Sequence, residues 1–152
     1  MPYRPDSVLV IGLGNPFRGD DAAGLLVADG IAEAFPDIRV IRHTSDGIGL
    51  LDVWAEYGTV IVVDAVVSGS PPGTVHVLDG LETLERDWFA TSTHAVNLAE
   101  AVELGRAVGR LPSRLIVIGI EGNEFGLGES VSAVVGKAVS DAIARLVEIT
   151  GR

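Results

Sequence analysis

The stretch Ser7–Gly24, SVLVIGLGNPFRGDDAAG, decides the fold. It opens with a β-branched apolar run, Ser7 to Leu13, that shows no polar alternation and reads as a strand buried on both faces. The chain then turns through glycines and Pro16 and enters, from Asp21 to Phe35, a segment whose apolar residues recur at helical spacing. A buried strand delivered into a helix in this way begins a parallel crossover unit. Three similar runs follow: Ile38 to His43 (IRVIRH), Thr59 to Ala65 (TVIVVDA) and Arg114 to Ile120 (RLIVIGI). Helical spacing covers roughly Gly47 to Tyr57, His94 to Arg110, and Ser130 to about Ile149. The alternation predicts an α/β domain of three layers, a mainly parallel twisted sheet with helices on both faces. Thr74 to Leu78 (TVHVL) predicts one further short strand near an edge, because VHV alternates, and Asp79 to Thr93 predicts an irregular or partly helical connection. No linker or repeat interrupts the pattern, so residues 1–152 read as a single domain.

Composition narrows the chemistry. The chain has no cysteine, so thiolate metal sites, disulfides and cysteine nucleophiles are absent, and a metal would be held by His, Asp, Glu or backbone oxygen. Its three histidines are His43, His76 and His94. With 11 basic against 21 acidic residues and a formal net charge of -10, the chain repels phosphate backbones and anionic lipid. Neither nucleic-acid nor membrane binding is expected, and with no secretory signal at the start the expected location is the cytoplasm.

In open α/β sheets, ligands gather beyond the carboxyl ends of the strands, where the winding direction reverses. Polar residues at those ends are therefore the candidates. Gly12-Leu13-Gly14-Asn15-Pro16-Phe17 departs from the dinucleotide fingerprint, with Phe17 in place of the third glycine, so a nucleotide site is disfavoured. GLGNP also occurs in bacterial peptidyl-tRNA hydrolases, whose Thr-Arg-His-Asn segment this chain lacks. Asp20 reads as the N-cap of the first helix, which leaves the adjacent Asp21 as the better ligand candidate. Asp64 stands where the apolar residues of its strand stop, and would face the same crevice as Asp21 if the first and third strands are neighbours. His94, after Thr91-Ser92-Thr93, reads as a first-turn residue behind a hydroxyl N-cap, where the helix dipole disfavours the imidazolium. His43 ends the second strand, and His76 reads as a solvent-facing strand residue. Two carboxylates and one neutral imidazole suit a divalent cation such as zinc or nickel.

Taken together, these segments resemble the NiFe hydrogenase maturation proteases. The resemblance is carried by GLGNPFRGDDAAG, TSDGIGLLD, VVDAV, STHAVNLAE and VIGIEGNEFGLGESVSAVV, which fall in the family's order over nearly the whole chain. It implies an endopeptidase that removes the C-terminal extension of a hydrogenase large-subunit precursor after nickel insertion, recognising nickel carried by that precursor. It also implies that Asp21, Asp64 and His94 form the nickel-recognition and catalytic site. Many relatives have Glu where this chain has Asp21. The loop Thr44-Ser45-Asp46-Gly47-Ile48-Gly49 resembles the family's glycine-containing loop, which makes Asp46 and Gly47 candidates for substrate binding, Asp46 facing the basic residue before the cut. Many relatives have Gln-Pro or Glu-Pro where this chain has Glu121-Gly122. A non-catalytic nickel-binding or maturation-chaperone protein of the same fold would share these ligands, and zinc would compete for such a site in vitro.

Overall fold

The computed structural model describes residues 4–89 and 96–151. Five strands form one sheet: β1 (Arg4–Leu13), β2 (Arg39–His43), β3 (Tyr57–Val66), β4 (Val75–Asp79) and β5 (Arg114–Glu121). Their order across the sheet is β2-β1-β3-β5-β4, and every pairing is parallel except the antiparallel β4–β5 pair at one edge. The α/β class, the parallel core and the short edge strand match the sequence expectation. β1 is first in the chain but lies between β2 and β3, so the winding reverses at the β1–β3 boundary. That boundary is the topological switch point, where the carboxyl ends of two strands splay and leave a crevice.

Side chains alternate across the sheet and divide the core in two. Leu9, Ile11, Val60, Val62, Leu115 and Val117 pack beneath α2 (Leu50–Trp54) and α3 (Leu98–Val108). Val10, Ile61, Val63 and Ile118 pack beneath α1 (Ala23–Ala34) and α4 (Ala133–Thr150). Strands with both faces buried need apolar residues at every position, which is why their sequences show no polar alternation.

Helix boundaries differ from the sequence pattern in two places. The second helical segment is a 3-10 turn at Gly47–Gly49 and a short α2, and Tyr57 already belongs to β3. α3 starts at Leu98 behind an Asn97–Glu100 capping box, not behind the hydroxyls at 91–93. Each side chain of that box answers the other's backbone N–H, satisfying the free donors of the first turn. His94 and Thr91–Thr93, expected at that start, precede α3 in the chain and lie outside the described residues.

α1 meets the sheet backbone to backbone. A Cβ on Gly24 would fall 2.2 Å from the Val63 carbonyl oxygen and 2.5 Å from that of Leu13, and one on Gly12 would fall 2.4 Å from the Gly24 carbonyl oxygen. Neither contact can be relieved by turning a side chain. Gly24→Ala is therefore expected to destabilise the protein by about 3 kcal/mol despite alanine's better helix propensity. Gly136 on α4 has open space around it, and Gly136→Ala is expected to gain up to about 1 kcal/mol. Urea unfolding of the two variants reads the opposite signs.

Candidate active site

Asp64 continues the face of β3 that carries Val60 and Val62, so the alternation aims its carboxylate towards the α3 side of the sheet, near the strand's end. Asp21 lies in the 3-10 turn Gly19–Ala22 that links β1 to α1. Gly14 lets that turn fold back over the end of β1, since a Cβ there would stand 2.0 Å from the Asp21 carbonyl oxygen. The two carboxylates, 5% and 8% exposed, line one cleft at the switch point with Gly14, His43, Gly47 and Asn97. The cleft measures about 30 Å³, room for an ion or a water. One oxygen of Asp21 accepts the Asn15 N–H at 3.1 Å.

Burial pushes the Asp64 carboxyl well above the usual range, and the neighbouring Asp21 charge pushes it further in the same direction; the Ala65 N–H opposes them. Two buried acids crowded together at neutral pH favour a bound cation, which relieves both the repulsion and the lost hydration. The donor set is oxygen from two carboxylates. Among the described residues no three His, Asp or Glu side chains form a ligand cluster, and the sequence's third candidate, His94, is outside them. It enters the chain two residues before Val96, which lines the cleft.

Other expectations are redistributed by the structure. Asp20 does not cap its own helix. It is completely buried, and its carboxylate accepts the N–H groups of Asn123 (2.8 Å), Glu124 (2.9 Å) and Ser132 (2.8 Å) and the Ser132 hydroxyl. Burial raises its pKa, but these bonds together outweigh it and hold the carboxyl below its ordinary value. Asp46 caps the turn after β2, one oxygen accepting the Ile48 N–H at 3.0 Å and the other the Val96 N–H at 3.3 Å. Gly47 bonds to the Val96 carbonyl at 3.0 Å, and a Cβ there would stand 2.6 Å from the same oxygen, so the glycine serves the loop's own packing. His43 lines the cleft, with its Nε2 2.9 Å from the Asp46 carbonyl oxygen.

His76 is not solvent-facing. The register sets it in one row with Asp64 and Gly119 across β3, β5 and β4. Its side chain, 16% exposed, bonds the buried Glu121 carboxylate at 3.1 Å and lies 5.1 Å, ring to ring, from Trp88. Glu121 also accepts the Ser68 N–H at 2.8 Å and the Ser68 hydroxyl at 2.5 Å. The same imidazole nitrogen meets both Ser68 and Glu121, so this cluster has no relay running from hydroxyl through ring to acid. The VHV alternation hid the burial because β4 is an edge strand with Trp88 folded over one of its faces.

With this geometry in place, comparison with known proteins is decisive. The model of a family described as hydrogenase maturation protease matches residues 28–149. The chain belongs to the hydrogenase maturation protease family. It is 29% identical to the hydrogenase 2 maturation protease of Escherichia coli over 93% of this chain and 91% of that protein. The crystal structure of the NiFe hydrogenase maturation protease HycI from Thermococcus kodakarensis superposes with a TM-score of 0.71 at 27% identity, covering 97% of this chain and 94% of the other. The hydrogenase maturating endopeptidase HybD of E. coli shares the fold, with a TM-score of 0.76 at 20% identity over 94% and 91% of the two chains. The protein is thus a peptidase, an endopeptidase of hydrogenase maturation. None of its described helices is long and apolar enough to cross a membrane.

The Glu121-Gly122 departure has a local cause. The Gly122 N–H donates to the Val66 carbonyl at 3.0 Å, a bond proline cannot make, and a Cβ on Gly122 would lie 2.4 Å from the Phe125 ring.

The raised Asp64 carboxyl fixes a sign. A carboxyl that resists ionising in the folded state contributes stability that is present below the unfolded pKa, about 3.9, and is lost as pH rises through the folded value. Asp64→Asn is therefore expected to raise Tm near pH 7 by about 2–4 °C for roughly 1 kcal/mol. The gain should vanish below about pH 4, where both forms are neutral. Asp20 runs the other way: its depressed pKa supplies stability above the unfolded value that is lost as pH falls through the folded one. Asp20→Asn is expected to cost about 3 kcal/mol at pH 7. Thermal melts of the two variants between pH 3 and pH 8 test both signs.

Proposed function

We propose that the protein removes the C-terminal extension of a hydrogenase large-subunit precursor once nickel has been inserted, and that it recognises the nickel carried by that precursor. The supporting observation is the pair of buried, mutually repelling carboxylates, Asp21 and Asp64, at the switch point. The cleft suits a cation, and the absence of cysteine leaves only oxygen and imidazole donors to offer it. Nickel held by the precursor's own ligands would take Asp21, Asp64 and His94 as further ligands, which brings the adjacent peptide bond to the rim. Water then adds to the scissile carbonyl carbon, a carboxylate of the site accepts its proton, and the leaving amine takes up a proton as the C–N bond breaks. The role of Asp46 in this reading is to face the basic residue before the cut from beside Gly47. Its oxygens also accept the backbone N–H groups of Ile48 and Val96, which hold the side chain in place. The reaction is placed in the cytoplasm.

Two carboxylates and one imidazole make a modest site for the free protein, so correct maturation of the precursor decides whether binding is strong. Metal-free protein is expected to shorten nickel-loaded precursor, with little cleavage of nickel-free precursor even after preincubation with zinc. Efficient cutting of the nickel-free form would move the metal to the enzyme. His94→Ala is expected to weaken nickel or zinc binding by calorimetry at least tenfold, with His76→Ala matching the unsubstituted protein. Equal losses would remove His94 from the site. Affinity should fall as pH drops through the histidine range, about 6.5, because bound ligands must be deprotonated. Asp64 adds a proton to be displaced above the ordinary carboxylate range.

A further inference from the structure

We propose that residues 15–19 and 123–132 together form a rigid ledge on which the folded body of the precursor docks through Phe17 and Leu127, an inference that rests on the endopeptidase reading above. Among the described residues these are the two most exposed large apolar side chains, at 71% and 80%. Single exposed apolar residues are common on helix surfaces and carry no meaning alone. This pair differs in three respects.

The first is proximity. The Gly128 N–H donates to the Phe17 carbonyl at 2.8 Å, which puts Leu127 beside Phe17 although 110 residues separate them in the chain. The second is rigidity. Gly19 N–H bonds the Glu129 carbonyl at 3.1 Å, Asp20 N–H bonds that of Glu124 at 2.7 Å, and Asn15 Oδ1 accepts the Phe17 N–H at 2.9 Å. Beneath them the buried Asp20 carboxylate gathers Asn123, Glu124 and Ser132. A loop free to move would fold its apolar side chains inward; here the backbone keeps them outward, so little ordering is left to be done on binding. The third is continuity. The ledge starts at Asn15, whose N–H bonds the Asp21 carboxylate of the cleft at 3.1 Å, so ledge and cleft adjoin.

Charge defines the occupant. Exposed Glu124 and Glu129 belong to the ledge in a chain of net charge -10, with Arg18, next to Phe17, half-buried. The complementary surface is an apolar recess with a basic margin on a folded protein. No residue of the ledge lines the cleft, so a short peptide cut at the cleft's rim leaves the ledge uncovered. Docking there selects the whole precursor over its isolated tail.

The test compares Phe17→Ser, Leu127→Ser and the double variant with Val108→Ser, a control residue at the end of α3 that is 56% exposed. Affinity for nickel-loaded precursor is read by calorimetry, and KM and kcat by cleavage of the same precursor. The double variant is expected to lose at least tenfold in affinity and to raise KM by a similar factor. Its kcat at saturating precursor should stay within twofold, with nickel binding and Tm unchanged. Val108→Ser should match the unsubstituted protein throughout. Undiminished precursor affinity in the double variant would overturn the ledge. So would a dimer of the unsubstituted protein in sedimentation that the double variant loses, because a second copy would then be the occupant. If the unsubstituted protein binds nickel-loaded precursor but does not cut it, the proposed processing of that precursor fails and the affinity comparison still decides the ledge.

Discussion

The contact on which the rest depends is the seat of α1 on the sheet. Gly12, Gly14 and Gly24 remove three Cβ atoms where backbone meets backbone, and the first turn of α1 comes down against β1 and β3 at the switch point. That approach carries Asp21 over the end of β1 and sets its carboxylate against Asp64. A side chain in any of the three places would lift the helix and separate the acids. The glycines of GLGNP therefore serve helix packing.

The acids of this region have contrasting surroundings. Asp20 is fully buried and surrounded by donors, so its charge is stabilised where it stands and binds two loops together. Glu121, also buried, is answered by Ser68 and His76 and fastens the end of β5 to the start of the connection after β3. Among the described residues Asp64 has the Ala65 N–H as donor and an acidic neighbour, and burial disfavours its charge. A fold that satisfies Asp20 and Glu121 so fully, yet leaves Asp64 against Asp21, retains a local instability at its cleft. In active sites such an arrangement is kept for what binds there.

The loops around the cleft are tied to one another. Asp46 joins the turn after β2 to Val96, Asn97 caps α3 and donates through its amide to the Arg86 carbonyl at 3.3 Å, and Trp88 packs on His76. The flanks of the segment that contains His94 are thus anchored from both sides: through Trp88 before it, Val96 and Asn97 after it. Opposite them, Asp20 makes one unit of the connections after β1 and β5. The cleft is framed by connections whose hydrogen bonds run to partners distant in sequence, which suits a site that must hold its shape while a large protein comes and goes.

The amino-acid sequence by itself determined the layer architecture, because a strand buried on both faces has to be apolar at every position, and SVLVIGL, TVIVVDA and RLIVIGI have few alternatives. It also singled out Asp21 and Asp64, since a carboxylate that interrupts such a run, or doubles an acid at a helix start, exceeds what folding requires. The tertiary structure alone decided how Asp20 is structural, since its donors are not those of its own helix but come from more than a hundred residues away. It also decided the burial of His76, the true start of α3 and the meeting of Phe17 with Leu127. Each depends on contacts between segments distant in sequence, and local periodicity records only which side of its own element a residue occupies, not what another part of the chain brings against it.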